Sequence, residues 1–86
     1  MLSLEIQISI VKKHTKEEEQ FLITLGKRVQ KLRKISGYTQ LQLAALYDSE
    51  KASLCRIETG KINPTITTLS KIAKILQIPM PRLFSE

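Results

Sequence analysis

Thr39 to Gly60 reads TQLQLAALYDSEKASLCRIETG, and the fold turns on how this stretch divides. Thr39 and Gln42 have the spacing of a capping box, in which a threonine hydroxyl and a glutamine side chain three residues on satisfy each other's free backbone N–H groups. A short helix should open there, carrying Leu43, Ala44 and Leu46 inward, until Tyr47-Asp48-Ser49 interrupt it with side chains that compete for backbone hydrogen bonds. A second helix from Glu50 to Glu58 buries Leu54 and Ile57 and is stopped by Thr59-Gly60. Its outer side is small or polar. Two short helices joined by about three residues, the second presenting such a side, can lay that second helix in the major groove of duplex DNA.

Outward from this pair, the pattern stays helical in both directions. Upstream, Thr15 and Glu18 form a second capping-box pair, so helix 1 begins near Lys16. Phe21, Leu25, Val29 and Leu32 recur at steps of four, four and three, which predicts one apolar stripe, and Gly37 ends the helix. Lys27, Arg28, Lys31 and Lys34 take the remaining faces, where a solvated role is the simplest account of them. Downstream, Lys61-Ile62-Asn63-Pro64 is a loop and Thr65 can cap a helix whose stripe is Ile66, Leu69, Ile72, Ala73 and Leu76. Pro79 and Pro81 frame one last short turn that ends in Leu83 and Phe84.

The N-terminus differs in period. From residue 2 to residue 10, Leu2, Leu4, Ile6, Ile8 and Ile10 alternate strictly with polar residues, the pattern of a half-buried β-strand. A solitary strand leaves its backbone groups unpaired, and pairing with the same strand of a second copy would satisfy them, so these five residues are the expected dimerisation surface. The chain therefore divides into an arm and joint at residues 1–14 and a helical DNA-binding domain at residues 15–86.

Eighty-six residues suffice for one modest core, which excludes an enzyme with its own cofactor domain. A hydrophobic fraction of 42% beside 26% charged residues is globular composition. The formal charge of +6 points to an anionic partner such as nucleic acid. Between Phe21 and Lys61 eight cationic residues face three anionic ones, leaving +5 of that charge in the helical pair and the helix before it. The single cysteine, Cys55, closes no disulfide within the chain. No apolar run could span a bilayer, and lysines follow the N-terminal apolar residues rather than precede them, the reverse of a secretory signal. The expectation is a cytoplasmic protein with no membrane association. His14 has no second metal ligand at useful spacing, and no nucleophile with a base, carboxylate pair or phosphate loop supports catalysis. We expect no cofactor, no metal and no enzymatic activity.

Leu25-Gly26-Lys27-Arg28-Val29 with Leu32-Arg33, Thr39-Gln40 with Leu43-Ala44, Arg56-Ile57-Glu58-Thr59-Gly60-Lys61, and Asn63-Pro64-Thr65 together resemble the Cro and repressor type of helix-turn-helix protein, the XRE family. The resemblance runs without gaps over about 60 residues, Leu25 to Phe84. It implies a mainly α, five-helix lambda-repressor-like helix-turn-helix domain, here with the added N-terminal β-strand. This chain departs from the family in the turn, with Asp48 where glycine is usual and Ser49 where a branched apolar residue is usual. Asp tolerates the backbone angles of a glycine nearly as well. Ser49 leaves out an apolar plug between the two helices.

The resemblance also implies that Glu50, Lys51, Ala52 and Arg56 face base edges, that Gln40 meets a phosphate, and that the Gly60-Lys61 loop, with Ser53, lies on the DNA backbone. Arg33 and Glu58 occupy positions that pair in the family, a structural ion pair. Side-chain chemistry agrees for two of the base readers, since Lys51 and Arg56 both donate to the O6 and N7 acceptors of guanine. Glu50 would repel phosphate but could accept from cytosine N4, which favours a surface that reads sequence. Cys55 belongs either on the DNA-proximal side of its helix or partly buried. The functional expectation is a sequence-specific double-stranded DNA-binding regulator, a dimeric repressor with a near-palindromic operator. The alternative is an antitoxin or restriction-system controller that also binds a partner protein, such as a toxin, through the N-terminal strand.

Overall fold

The computed structural model describes residues 15–85, and over them the chain is four α-helices and a closing turn. They are α1 (Lys16–Ile35), α2 (Gln40–Leu46), α3 (Lys51–Glu58) and α4 (Ile66–Leu76), followed by a 3-10 turn at Met80–Leu83. The expected fifth helix is thus only this turn. Its brevity follows from Pro79 and Pro81, which remove backbone donors on either side of Met80. No strand occurs among the described residues. Leu2, Leu4, Ile6, Ile8 and Ile10, and the rest of the proposed arm at 1–14, lie outside them.

Local chemistry sets the helix ends as read from the sequence. Thr15 and Glu18 close a full capping box on α1, and Thr39 and Gln42 close one on α2. Thr65 accepts from the Thr68 N–H at the start of α4. Each such cap satisfies donors that the first helical turn cannot pair internally, and removing one costs about 1 kcal/mol. Gly37, at φ +86°, turns the chain away from α1. In the turn between α2 and α3 Asp48 sits at φ +56°, the left-handed conformation for which glycine is usual and aspartate is among the better tolerated substitutes. The Ser49 N–H reaches back to the Ala44 carbonyl at 2.8 Å.

Val29, Leu43, Leu54, Ile72 and Leu83 are the largest fully buried side chains, one from every element. Burying each stabilises the fold by roughly 1.5 to 3 kcal/mol. α3 packs against both α1 and α2, while the closing turn packs on α1 and α4. α1 and α3 approach unusually closely at Gly26, where a Cβ would lie 2.6 Å from the Glu58 carbonyl oxygen. Only glycine fits there.

Three apolar residues expected inside are on the surface. Phe21 is 53% exposed, Leu46 56% and Ile66 69%. Leu22 takes the inward place on α1 instead of Phe21, and the stripe runs Leu22, Leu25, Val29, Leu32. Leu46 and Ile66 lie in the last turn of α2 and the first turn of α4, where no neighbouring element covers them. The Phe21 ring stacks on Phe84, centroids 6.3 Å apart and planes within 6°. Arg28, expected on a solvated face, is half-buried and donates from Nη1 to the Leu83 carbonyl at 3.4 Å.

Candidate nucleic-acid interface

The inner side of α3 is Leu54, Ile57 and Glu58, all buried. Lys51, Ala52, Cys55 and Arg56 are therefore turned outward together, at steps of one, three and one, and all four are exposed. Glu50 precedes them as the N-cap of α3, with extended backbone and no capping hydrogen bond from its side chain. Its side chain is exposed. Ser53 is half-buried at the edge of this face. Of the side chains assigned to base reading by resemblance, Lys51, Ala52 and Arg56 are thus exposed on α3, and Glu50 is exposed at its N-cap. Cys55, four residues after Lys51, is exposed with them, which settles it on the outer side of α3 and not partly buried.

α3 is held from behind by an ion pair. Arg33 Nε donates to Glu58 Oε2 at 2.7 Å and Arg33 Nη2 to Glu58 Oε1 at 3.1 Å, a bidentate arrangement. Both side chains are nearly inaccessible, 7% and 1% exposed. The remaining Arg33 nitrogen, Nη1, donates to the Tyr38 carbonyl at 2.7 Å. Buried charges are stable only when paired and hydrogen-bonded in this manner. The sequence reading missed a further partner: Gln40 Nε2 donates to Glu58 Oε1 at 2.9 Å. One carboxylate therefore ties the ends of α1, α2 and α3 together.

The backbone-contact candidates fall around the rim of the α3 face. Gln40, at the first position of α2, opens on a shallow groove that Gln30, Lys34, Leu41 and Lys51 also line. Lys61 is exposed, and its N–H returns to the Arg56 carbonyl at 2.9 Å, which keeps the loop against the end of α3. Gly60, at φ +75°, has a packing role besides, because a Cβ there would lie 2.8 Å from the Ile23 backbone on α1. Of the lysines on α1, Lys27, Lys31 and Lys34 are exposed. Behind the helical pair, burial pushes the Tyr47 hydroxyl pKa up; Ser49 pulls it down and the Glu58 charge adds to the rise. Among the described residues no group of three or more His, Cys, Asp or Glu could hold a metal ion. No described helix is long and apolar enough to cross a membrane.

The helix-turn-helix model of protein families matches residues 29–83, a span that contains the ion pair, the turn and the whole of α3. The chain belongs to the helix-turn-helix family. This family, the XRE type, is one of DNA-binding regulators and not of enzymes. Among its relatives is the HTH-type transcriptional regulator PuuR of Escherichia coli (strain K12), 33% identical over 61 residues, which are 71% of this chain and 33% of PuuR. The immunity repressor protein of Bacillus phage phi105 is 33% identical over 64 residues, 74% of this chain and 44% of the repressor. This helix-turn-helix chain thus spans a third to under half the length of these relatives. The crystal structure of the restriction-modification controller protein C.AhdI from Aeromonas hydrophila superposes with a TM-score of 0.75 at 28% identity, covering 78% of this chain and 97% of the controller.

Proposed function

We propose that this helix-turn-helix protein is a dimeric repressor that reads a near-palindromic operator by placing α3 in the major groove. The outward cluster of Lys51, Ala52, Cys55 and Arg56 on a helix anchored from behind by a buried ion pair carries this reading. Arg56 pairs with guanine O6 and N7, Lys51 supports a second guanine, and Glu50 accepts from cytosine N4. Ala52 offers an apolar contact of the kind that suits a thymine methyl. Gln40, Ser53, Gly60 and Lys61 set the register on the phosphates. Residues 2 to 10 of two copies pair antiparallel to make the dimer. Likeness to a phage repressor and to a restriction-modification controller favours those two roles over an antitoxin that holds a toxin. A methyltransferase or a toxin in the neighbouring reading frame would decide between them.

Selection of bound sequences from random duplex DNA tests the reading directly, and a GC-containing half-site is the expected product. On the selected site Arg56→Ala should cost about 1 to 3 kcal/mol, with much less loss on random DNA. Lys61→Ala should weaken both alike and make the salt dependence shallower. Equal losses on both DNAs for Arg56→Ala would reduce that residue to a phosphate contact.

A further inference from the structure

The Gln40–Glu58 contact joins a residue on the DNA-facing rim to a buried carboxylate, and the two sit 18 positions apart. We infer that Glu58 is a positioning residue for DNA binding: it turns the Gln40 amide so that its nitrogen, not its oxygen, is fixed toward the protein and its second N–H is free for a phosphate. An ionised carboxylate only accepts hydrogen bonds, whereas an amide can present either end. With Glu58 Oε1 2.9 Å from Gln40 Nε2, the amide has one orientation. Arg33 holds Glu58 in place through its two hydrogen bonds, so the ion pair behind α3 also fixes the contact that α2 offers to the DNA backbone. Phosphate oxygens likewise only accept, and a donor aimed by a rigid partner binds them without loss of side-chain freedom. This inference rests on the proposed docking of the α2–α3 side on DNA.

The Gln40→Glu variant is the test, because it keeps the shape and replaces the donor by a group whose donor ability depends on pH. Protonated, residue 40 would still donate to Glu58, but that is its single O–H and none is left for a phosphate. Ionised, it would set two carboxylates against each other, and like charges sharing a site raise the pKa of one of them. Arg33 faces the pair from α1, Lys34 and Lys51 line the same groove, and the Tyr47 hydroxyl, which also senses Glu58, titrates above the range used. The quantity to read is the ratio of Kd to that of the wild type.

Operator binding and, separately, urea midpoints without DNA are measured at pH 5.5 and 8 for wild type, Gln40→Glu and Gln40→Ala, with Kd corrected for the fraction folded. For Gln40→Glu the Kd ratio should be raised at both pH values, at least as much as for Gln40→Ala, because neither protonation state leaves a donor for the phosphate, and its midpoint relative to wild type should fall from pH 5.5 to 8 as the two carboxylates come to repel. For Gln40→Ala the ratio should be raised and flat with pH. If the Gln40→Glu midpoint falls relative to wild type between pH 5.5 and 8 while the Kd ratios of both variants stay near one, the contact is structural only and the positioning role is overturned. A Gln40→Glu midpoint that keeps a constant offset from wild type across this range overturns the contact itself. Wild-type protein that binds no selected duplex would remove the DNA reading and this role with it, a failure the wild-type lane separates from the other two.

Discussion

Glu58 is the residue on which the helical pair depends, since its carboxylate meets Arg33 twice and Gln40 once at 1% exposure. Truncating either member of such a pair leaves the other as an uncompensated buried charge, which costs far more than the pair is worth when intact. Glu58→Ala and Arg33→Ala should each lower unfolding free energy by about 3 to 5 kcal/mol, the range for deep burial, not the 0 to 1 kcal/mol of an exposed pair. The double variant should lose clearly less than the sum. Urea melts of all three settle it, and additive losses would mean the two charges do not interact. Arg33 and Glu58 were readable as partners only through family resemblance, because no local periodicity links residues 25 positions apart. Gln40 as a third partner was not readable: a glutamine opening a helix looks the same whether it faces solvent, phosphate or a carboxylate.

At the scale of elements, the sharpest constraint is the crossing of α1 over the end of α3 at Gly26, which is buried. In an isolated helix, alanine in place of glycine stabilises by roughly 1 kcal/mol. Here the added methyl would meet the Glu58 carbonyl at 2.6 Å, and backbone cannot yield as a side-chain tip would. Gly26→Ala should therefore destabilise by about 1 to 3 kcal/mol, as overpacking does, and should pull α3 off its seat, weakening operator binding as well. A rise in melting temperature would show that the two backbones are not in contact. Helix boundaries were legible because they are local: both capping boxes and Gly37 act within a few residues. Which side of a helix faces inward was less so. Phe21, Leu25, Val29, Leu32 and Leu22, Leu25, Val29, Leu32 fit a period of 3.6 equally well, and only the element opposite chooses between them. The same holds at the helix ends, where Leu46 and Ile66 continue an apolar stripe past the point at which anything covers it. Proline placement likewise marked the final turn but not that it stops at a single 3-10 turn.

Taken as a whole molecule, the helical domain leaves Phe21, Ile35, Leu41, Leu46, Ile66 and Phe84 exposed, and of these only Phe84 belongs to the C-terminal end. The C-terminal end offers Ile78, Met80, Leu83 and Phe84 in sequence, yet Leu83 is fully buried and Ile78 and Met80 pack on the core. Phe84 remains at 38% exposure, and its ring is stacked on Phe21. A C-terminal dimer would thus rest on little more than one aromatic pair from each copy, short of the roughly 800 Å² per partner of a stable interface. Residues 2 to 10, outside the described region, supply five large apolar side chains on one side of an alternating sequence. Antiparallel pairing about a two-fold axis is self-complementary and needs no other partner. The same axis would set two copies of α3 about 34 Å apart, one turn of duplex, so that loss of the arm should also loosen the hold on a two-half-site operator. A chain starting at Thr15 should keep its helical fold, because it retains the four helices, the closing turn and the core that the described residues bury between them. Light scattering at micromolar concentration should find it monomeric where the full chain is dimeric, and its affinity for the full operator should fall toward that for a single half-site. Persistence of the dimer would overturn the strand as its interface and return the role to the Phe21 and Phe84 face.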